Sequence, residues 1–242
     1  MMKKSVYILL LFTSLTTLSF AQRREKPQNY RKFDQKALHF GFMLGVNTAD
    51  FSIATKTNLL ADYNTLYVQN DKQPGFQLGI ITSLKLGHPS LRLRFIPSLS
   101  FQERVLNYRF VDPQDNTQFL AEDQERIEST NLDFPLLLKY RTMRYNNFAA
   151  YIIGGGQYTL DLQTKADAAQ SFKDPFIKIN QHDFQGQVGA GLDFFLPYFK
   201  FGLELKMSHS FGNVLIQDNT VVSDPIDRLQ NRVWWFSITF EG

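Results

Sequence analysis

The sequence predicts an all-β fold, an eight-stranded antiparallel transmembrane β-barrel of the outer-membrane type with a short N-terminal periplasmic arm. Three observations predict it. Apolar and polar residues alternate with period two in eight segments. Each segment has about 10 residues, the length of a tilted strand crossing a bilayer. Long and short connections alternate between the segments, as they do in barrels with short periplasmic turns and long external loops.

Taken in order, residues 1–21 read as an export signal. Lys3 and Lys4 give a positive start, Ser5 to Phe20 is apolar and uncharged, and Ser19-Phe20-Ala21 is a small-x-small cleavage site. Gln22 is the expected mature start. Residues 22–37 form a basic arm. Arg23, Arg24, Lys26, Arg31, Lys32 and Lys36 outnumber Glu25 and Asp34, and Tyr30 and Phe33 lie among them. A barrel needs no such arm, so these six cations and two aromatics are a candidate partner-docking site. A solvated lead-in is the alternative.

Residues 38–242 carry the eight segments. Their apolar phases are Phe40 to Val46, Phe76 to Leu86, Leu91 to Phe101, Leu132 to Tyr140, Phe148 to Leu162, Phe184 to Phe194, Phe199 to His209 and Trp234 to Phe240. No position in these phases is Asp, Glu, Lys or Arg. The fifth phase is the most ambiguous, because Ala149, Tyr151 and Ile153 are apolar on the opposite one. The interleaved positions carry Lys85, Arg92, Arg94, Lys139, Lys200 and Lys206 against Asp133, Asp161, Asp193 and Glu204. Many glycines share that face. Small residues and paired charges fit the narrow interior of an eight-stranded barrel, whereas a crowd of Phe does not. The charged face is therefore assigned to the lumen, as a structural ion network rather than a solute path, since buried charge is tolerable only when paired.

Residues 48–73, 104–128, 163–182 and 212–231 are expected to be the external connections. Gly87–Ser90, Arg141–Asn147 and Leu196–Tyr198 are expected to be the periplasmic turns. Residues 102–111 and 119–130 are able to extend beyond the membrane as a hairpin. Tyr140, Phe148, Phe194, Phe199 and Phe240 fit a periplasmic aromatic girdle, and Phe101, Phe184 and Trp234 an outer one. Pro97 and Pro135 lie inside proposed strands. Each forfeits a ladder bond, which a bulge is expected to absorb.

Composition narrows the chemistry. Among 242 residues there is no Cys, which excludes disulfides, thiolate catalysis and a lipoprotein anchor. Hydrophobic content of 43% argues against disorder, and a net charge of +3 is too small to point to nucleic acid. After the signal, no run reaches the ~20 apolar residues of a membrane helix. Mean hydropathy is nonetheless negative, at -0.25. Two faces of opposite chemistry, averaged together, account for that. His39, His88, His182 and His209 lack metal-site spacing, so no metal or cofactor is expected. Ser208-His209-Ser210 suggests a lipid-modifying enzyme, but the alternation puts His209 on the lipid face and both serines in the lumen, where no triad forms. Gly154-Gly155-Gly156 lies within a strand, so it is no phosphate loop. No catalytic residue or small-molecule substrate is expected.

The stretch Asn29-Tyr30-Arg31-Lys32-Phe33-Asp34-Gln35-Lys36, followed by Leu38-His39-Phe40-Gly41-Phe42-Met43-Leu44-Gly45-Val46-Asn47, resembles the start of the PorT (SprT) family of Bacteroidetes. Asn131-Leu132-Asp133-Phe134-Pro135-Leu136-Leu137-Leu138-Lys139-Tyr140-Arg141 and Gly189-Ala190-Gly191-Leu192-Asp193-Phe194 resemble motifs shared more widely by outer-membrane barrels of that phylum. The resemblance spans the mature chain and makes Pro135 a recurring strand feature. It implies a non-enzymatic accessory or assembly role in type IX secretion, the export of folded proteases, adhesins or gliding proteins. The expected partners are outer-membrane lipid and other type IX components. A surface-adhesion barrel acting through its external loops is the first alternative.

Overall fold

The computed structural model describes residues 27–111, 119–164 and 176–242. The export signal and Arg23, Arg24 and Lys26 of the arm lie outside the described residues. A short helix α1 (Lys32–Gln35) precedes β1 (Leu38–Thr55). Helix α2 (Leu59–Tyr63) joins β1 to β2 (Thr65–Lys85). There follow β3 (Leu91–Phe95), β4 (Ser98–Val111), β5 (Phe119–Arg141), β6 (Phe148–Asp161), β7 (His182–Phe195), β8 (Lys200–Ser210) and β9 (Ile226–Glu241). Neighbouring strands pair antiparallel, and β1 pairs with both β2 and β9, so the ring closes.

Nine strands make eight staves. The third alternating segment is interrupted at Ile96-Pro97, and both pieces, β3 and β4, lie between β2 and β5. No bulge accompanies either internal proline, contrary to expectation. Thr82↔Phe95 and Gly79↔Ser98 keep one register across Pro97, and Pro135↔Gln157 lies within an unshifted ladder. Each proline still accepts. Ile80 N–H donates to the Pro97 carbonyl at 3.0 Å, and Ile96 N–H to the Pro135 carbonyl at 3.2 Å. Only the donating half of each pair is lost, so the strands stay in step.

Burial is inverted relative to a water-soluble sandwich. Phe40, Ile80, Ile152 and Phe184 are 59–64% exposed, whereas Arg94, Asp133 and Asp193 are 0% exposed. A soluble protein does not bury its charges while exposing a belt of Phe and Ile; a barrel in lipid does. The β6 phase is settled by the same criterion, with Ile152 outward and Ala149, Tyr151 and Ile153 inward. Among the described residues, no helix is long and apolar enough to cross a membrane.

The external connections differ from expectation. Much of 48–73 and 104–128 is strand. The β4–β5 hairpin continues from Gln102↔Ser129 to Phe110↔Ala121, and β2 adds Val68↔Tyr108 to Lys72↔Arg104. Residues 226–231, placed in a loop by the alternation, extend β9 and pair with β1. The β1–β2 ladder stops at Ala49↔Gln73. Beyond it the ring parts into a β1–β9 sheet and a β2–β4–β5 sheet. Phe51, Leu106, Tyr108, Ile127, Ile226 and Leu229 form one apolar cluster drawing on both, joined by Ile177 and Val214 from the later connections. The hairpin of residues 102–111 and 119–130 is the one expected from the sequence; the rest of the cap does not follow the single lipid-facing phase. Above the bilayer the polarity reverses and the apolar face turns inward.

The cap is therefore a separate packing unit above the barrel. Leu106→Ala is expected to weaken it by about 2–5 kcal/mol without opening the ring. Limited proteolysis of intact cells should cut the variant's cap sooner, while its heat-modifiable migration stays that of wild type. Loss of the barrel form itself would show that cap and barrel fold as one unit.

Candidate functional site

Alternation turns every second strand residue inward, and the inward charges meet in the lower lumen. Arg94 on β3 bonds Glu204 on β8 at 2.6 Å and approaches Glu241 on β9 at 3.6 Å. Lys200 reaches Glu241 at 2.8 Å and Asp193 at 3.7 Å. Lys139 pairs with Asp193 at 2.9 Å, and Lys206 with Glu204 at 3.3 Å. Tyr151 donates its hydroxyl to Glu204 at 2.8 Å, and the Lys139 ammonium lies 3.4 Å above the Tyr151 ring. A Cβ at Gly191 would collide with that ring, so the glycine makes room for it. Four cations thus share three carboxylates across β3, β5, β7, β8 and β9. Shared partners are what let so many charges tolerate burial.

Four expected members of the network sit elsewhere, of which Asp161 accepts from the Gln163 N–H at 2.8 Å. Asp133 is held by neutral groups, accepting from Ser100 at 2.7 Å, Thr159 at 2.8 Å and Gln157 at 2.9 Å. Lys85 ends β2 at the rim beside the arm and donates to the Asp34 and Gln35 carbonyls at 3.4 and 3.3 Å. Arg92, also at the rim, donates to the Phe33 carbonyl at 3.2 Å and stacks on the Phe33 ring. Phase alone assigns a side chain to the lumen but not to a height within it. Glu241 was missed, although it is the inward neighbour of outward Phe240. Tyr151 was missed because apolar lumen positions were not sought. Met43, Ile81, Ile96, Leu137 and Ile153 pack with it as an apolar plug.

The arm closes the mouth of the barrel opposite the cap. Phe33 is fully buried, stacked on His39 at 3.7 Å, edge-on to Phe195 at 5.7 Å, and beneath the Lys200 ammonium at 4.6 Å. Tyr30 packs beside it. Asp34 bonds Arg141 at 2.7 Å and Arg144 at 2.8 Å, which ties α1 to the β5–β6 turn. Asn29 N–H donates to the Asn147 side chain at 2.7 Å, and Arg144 donates to the Asn29 carbonyl at 3.1 Å. Of the candidate docking residues, Tyr30 and Phe33 thus pack against the chain's own barrel, while Arg31, Lys32 and Lys36 are exposed. Burial pushes the Asp34 carboxyl up, but Arg141 and Arg144 outweigh it and hold Asp34 below the usual carboxylate value.

No catalytic arrangement replaces these contacts among the described residues. Ser208 is buried in the lumen and takes a 3.4 Å bond from Trp235, while His209 lies on the outer phase. No group of His, Asp and Glu among the described residues is placed to hold a metal ion.

Residues 20–215 match the family described as outer membrane protein beta-barrel domain. Among solved structures, the chain is similar to the outer membrane protein OprG of Pseudomonas aeruginosa. That match has 14% identity and a TM-score of 0.45, and covers 86% of this chain and 97% of that one. Neisserial surface protein A (NspA) has 9% identity and a TM-score of 0.40, with 83% and 95% covered. The attachment invasion locus protein Ail of Yersinia pestis has 10% identity and a TM-score of 0.36, with 86% and 100% covered. No curated protein sequence matches the chain.

Two outcomes follow from the geometry. Glu204→Leu leaves Lys206 without its carboxylate and Arg94 with only the longer contact to Glu241, so it is expected to cost about 3–5 kcal/mol. Urea unfolding in lipid vesicles measures this, and an unchanged midpoint would deny the network its structural role. The folded Asp34 value lies below the unfolded one. Its stabilisation is therefore present above the ordinary carboxylate range and is lost as pH falls through the folded value. A nitroxide at exposed position 36 should become mobile on acidification into that range, and Asp34→Asn should be mobile already at neutral pH. A spectrum indifferent to both changes would mean that Asp34 does not hold the arm.

Proposed function

Because the chain belongs to the outer membrane protein beta-barrel domain family, we propose that it is a non-enzymatic accessory or assembly component of the outer membrane required for type IX secretion. The observation that carries this reading is the pinned arm. Phe33 and Asp34 fix it across the periplasmic mouth, and Arg31, Lys32 and Lys36 face outward from it. A rigidly presented cationic segment suits docking to an acidic surface of another secretion component, because less ordering entropy is lost on binding. The resemblance of residues 29–47 to the PorT family supports the same role. The filled lumen argues against the chain being the conduit, since eight staves leave room only for side chains.

An adhesion role is the second reading, favoured by the packed cap, which would present a defined external surface rather than loose loops. Deleting the gene separates the two. The secretion role predicts unprocessed cargo building up in the periplasm, whereas normal export with lost surface binding would establish the adhesin. Complementation with Arg31→Glu/Lys32→Glu/Lys36→Glu then tests the arm. The triple variant should reach wild-type barrel levels yet fail to restore export; restored export would dismiss the arm as the docking element.

A further inference from the structure

A charged cluster outside the lumen and the arm spans β8, β9, β1 and β2 on the outer wall. Arg232 lies opposite His209 on β8 and Asp50 on β1. Its guanidinium bonds the Asp50 carboxylate at 2.5 Å, and Lys72 approaches the same carboxylate at 3.9 Å. Asp50 is thereby buried to 4% exposure, while Arg232 and Lys72 remain 40% and 60% exposed. His209 adds an imidazole whose Nδ1 is shielded from solvent and has no partner.

The position of this cluster matters more than its charge. One outward step down β9 from Arg232 is half-exposed Trp234, paired with Thr48 and Met207. The next step is Phe236, beside exposed Val46 and Leu205. Arg232 is thus the first charge above the apolar belt, directly over an interfacial tryptophan, at the depth of lipid headgroups. On the strands beyond β2, the outward row above Phe101↔Thr130 carries Glu103↔Glu128, with Arg126 3.4 Å from Glu103. The β9–β1–β2 stretch and the adjoining β4–β5 stretch therefore differ in charge.

We propose that Arg232 and Lys72, gathered about Asp50, bind the phosphate of an anionic lipid headgroup in the outer leaflet. Asp50 holds the guanidinium in place, leaving its exposed N–H groups to engage phosphate oxygens, the geometry for which arginine is suited. Lys72 adds a second charge, and Trp234 with Val46 accommodates the start of the acyl chains. This assignment does not depend on the secretion role.

The test uses the full mature chain in detergent micelles, with native mass spectrometry and two probes, monophosphoryl lipid A and its dephosphorylated form. The phosphorylated lipid should remain bound and the dephosphorylated one should not. Lys72→Ala/Arg232→Ala should cut occupancy by roughly fivefold for each charge removed, while Glu103→Gln/Glu128→Gln leaves it unchanged. Equal retention of both lipids overturns the proposal, as does full occupancy in the double variant. Displacement by equimolar inorganic phosphate would assign the wall to a soluble anion instead. If the double variant loses its heat-modifiable form, Lys72→Ala alone and the two-lipid comparison on wild type still decide the matter.

Discussion

The constraint behind this structure is that backbone polar groups in a bilayer find no water. Each must be paired within the protein, so the sheet has to close on itself. Closure of β1 onto β9 removes both edges, and the rest is arranged around it. A closed ring has one face in hydrocarbon, so that face excludes charge. A ring of eight staves has a narrow interior, so polar side chains displaced from the lipid face must satisfy one another there. The prolines fit the same logic. Each keeps its carbonyl in the ladder, so each interruption loses one donor and no register.

The lumen is stratified. At the arm end Phe33 lies over the shared ion network of Arg94, Lys139, Lys200, Lys206, Asp193, Glu204 and Glu241. Met43, Ile81 and Leu137 contribute an apolar plug, Asp133 gathers neutral donors, and the cap core closes the outer end. Each layer requires its own chemistry to be complete. An ion network tolerates burial only with every partner present, and an apolar plug holds only when close-packed. Such an interior stabilises a barrel.

The barrel was legible because lipid imposes a strict period-two pattern, which survives in sequence as charge-free phases. The heights of lumen residues were not legible. Asp133 and Lys139 share a phase, yet one meets hydroxyls and amides and the other a carboxylate, because stagger between strands decides what lies opposite. The cap was legible only in part. Residues 102–111 and 119–130 revealed their hairpin, but the contacts of Phe51 and Ile226 with it join residues distant in the chain. The arm's basic character was plain, whereas its attachment was not. Asp34 counted merely as one acidic residue among cations until Arg141 and Arg144 were seen to clasp it.

That clasp bears on how a closed barrel can serve a larger assembly. With the lumen filled and both mouths covered, any partner has to be met at the surface, and the surface divides into three environments. Above the membrane is the cap, where two sheets present backbone-rigid strands instead of loose loops. At the headgroup level Arg232 and Lys72 gather about Asp50, and Glu103 stands opposite Glu128 on the adjoining strands. Below, the arm displays Arg31, Lys32 and Lys36 from a base that cannot swing away while Asp34 is ionised. A free basic tail would sample many orientations and bind weakly at each; a tail pinned by a buried aromatic and two guanidiniums presents one. Fixing the arm to the barrel therefore also fixes its cations, in both position and direction, relative to the plane of the membrane.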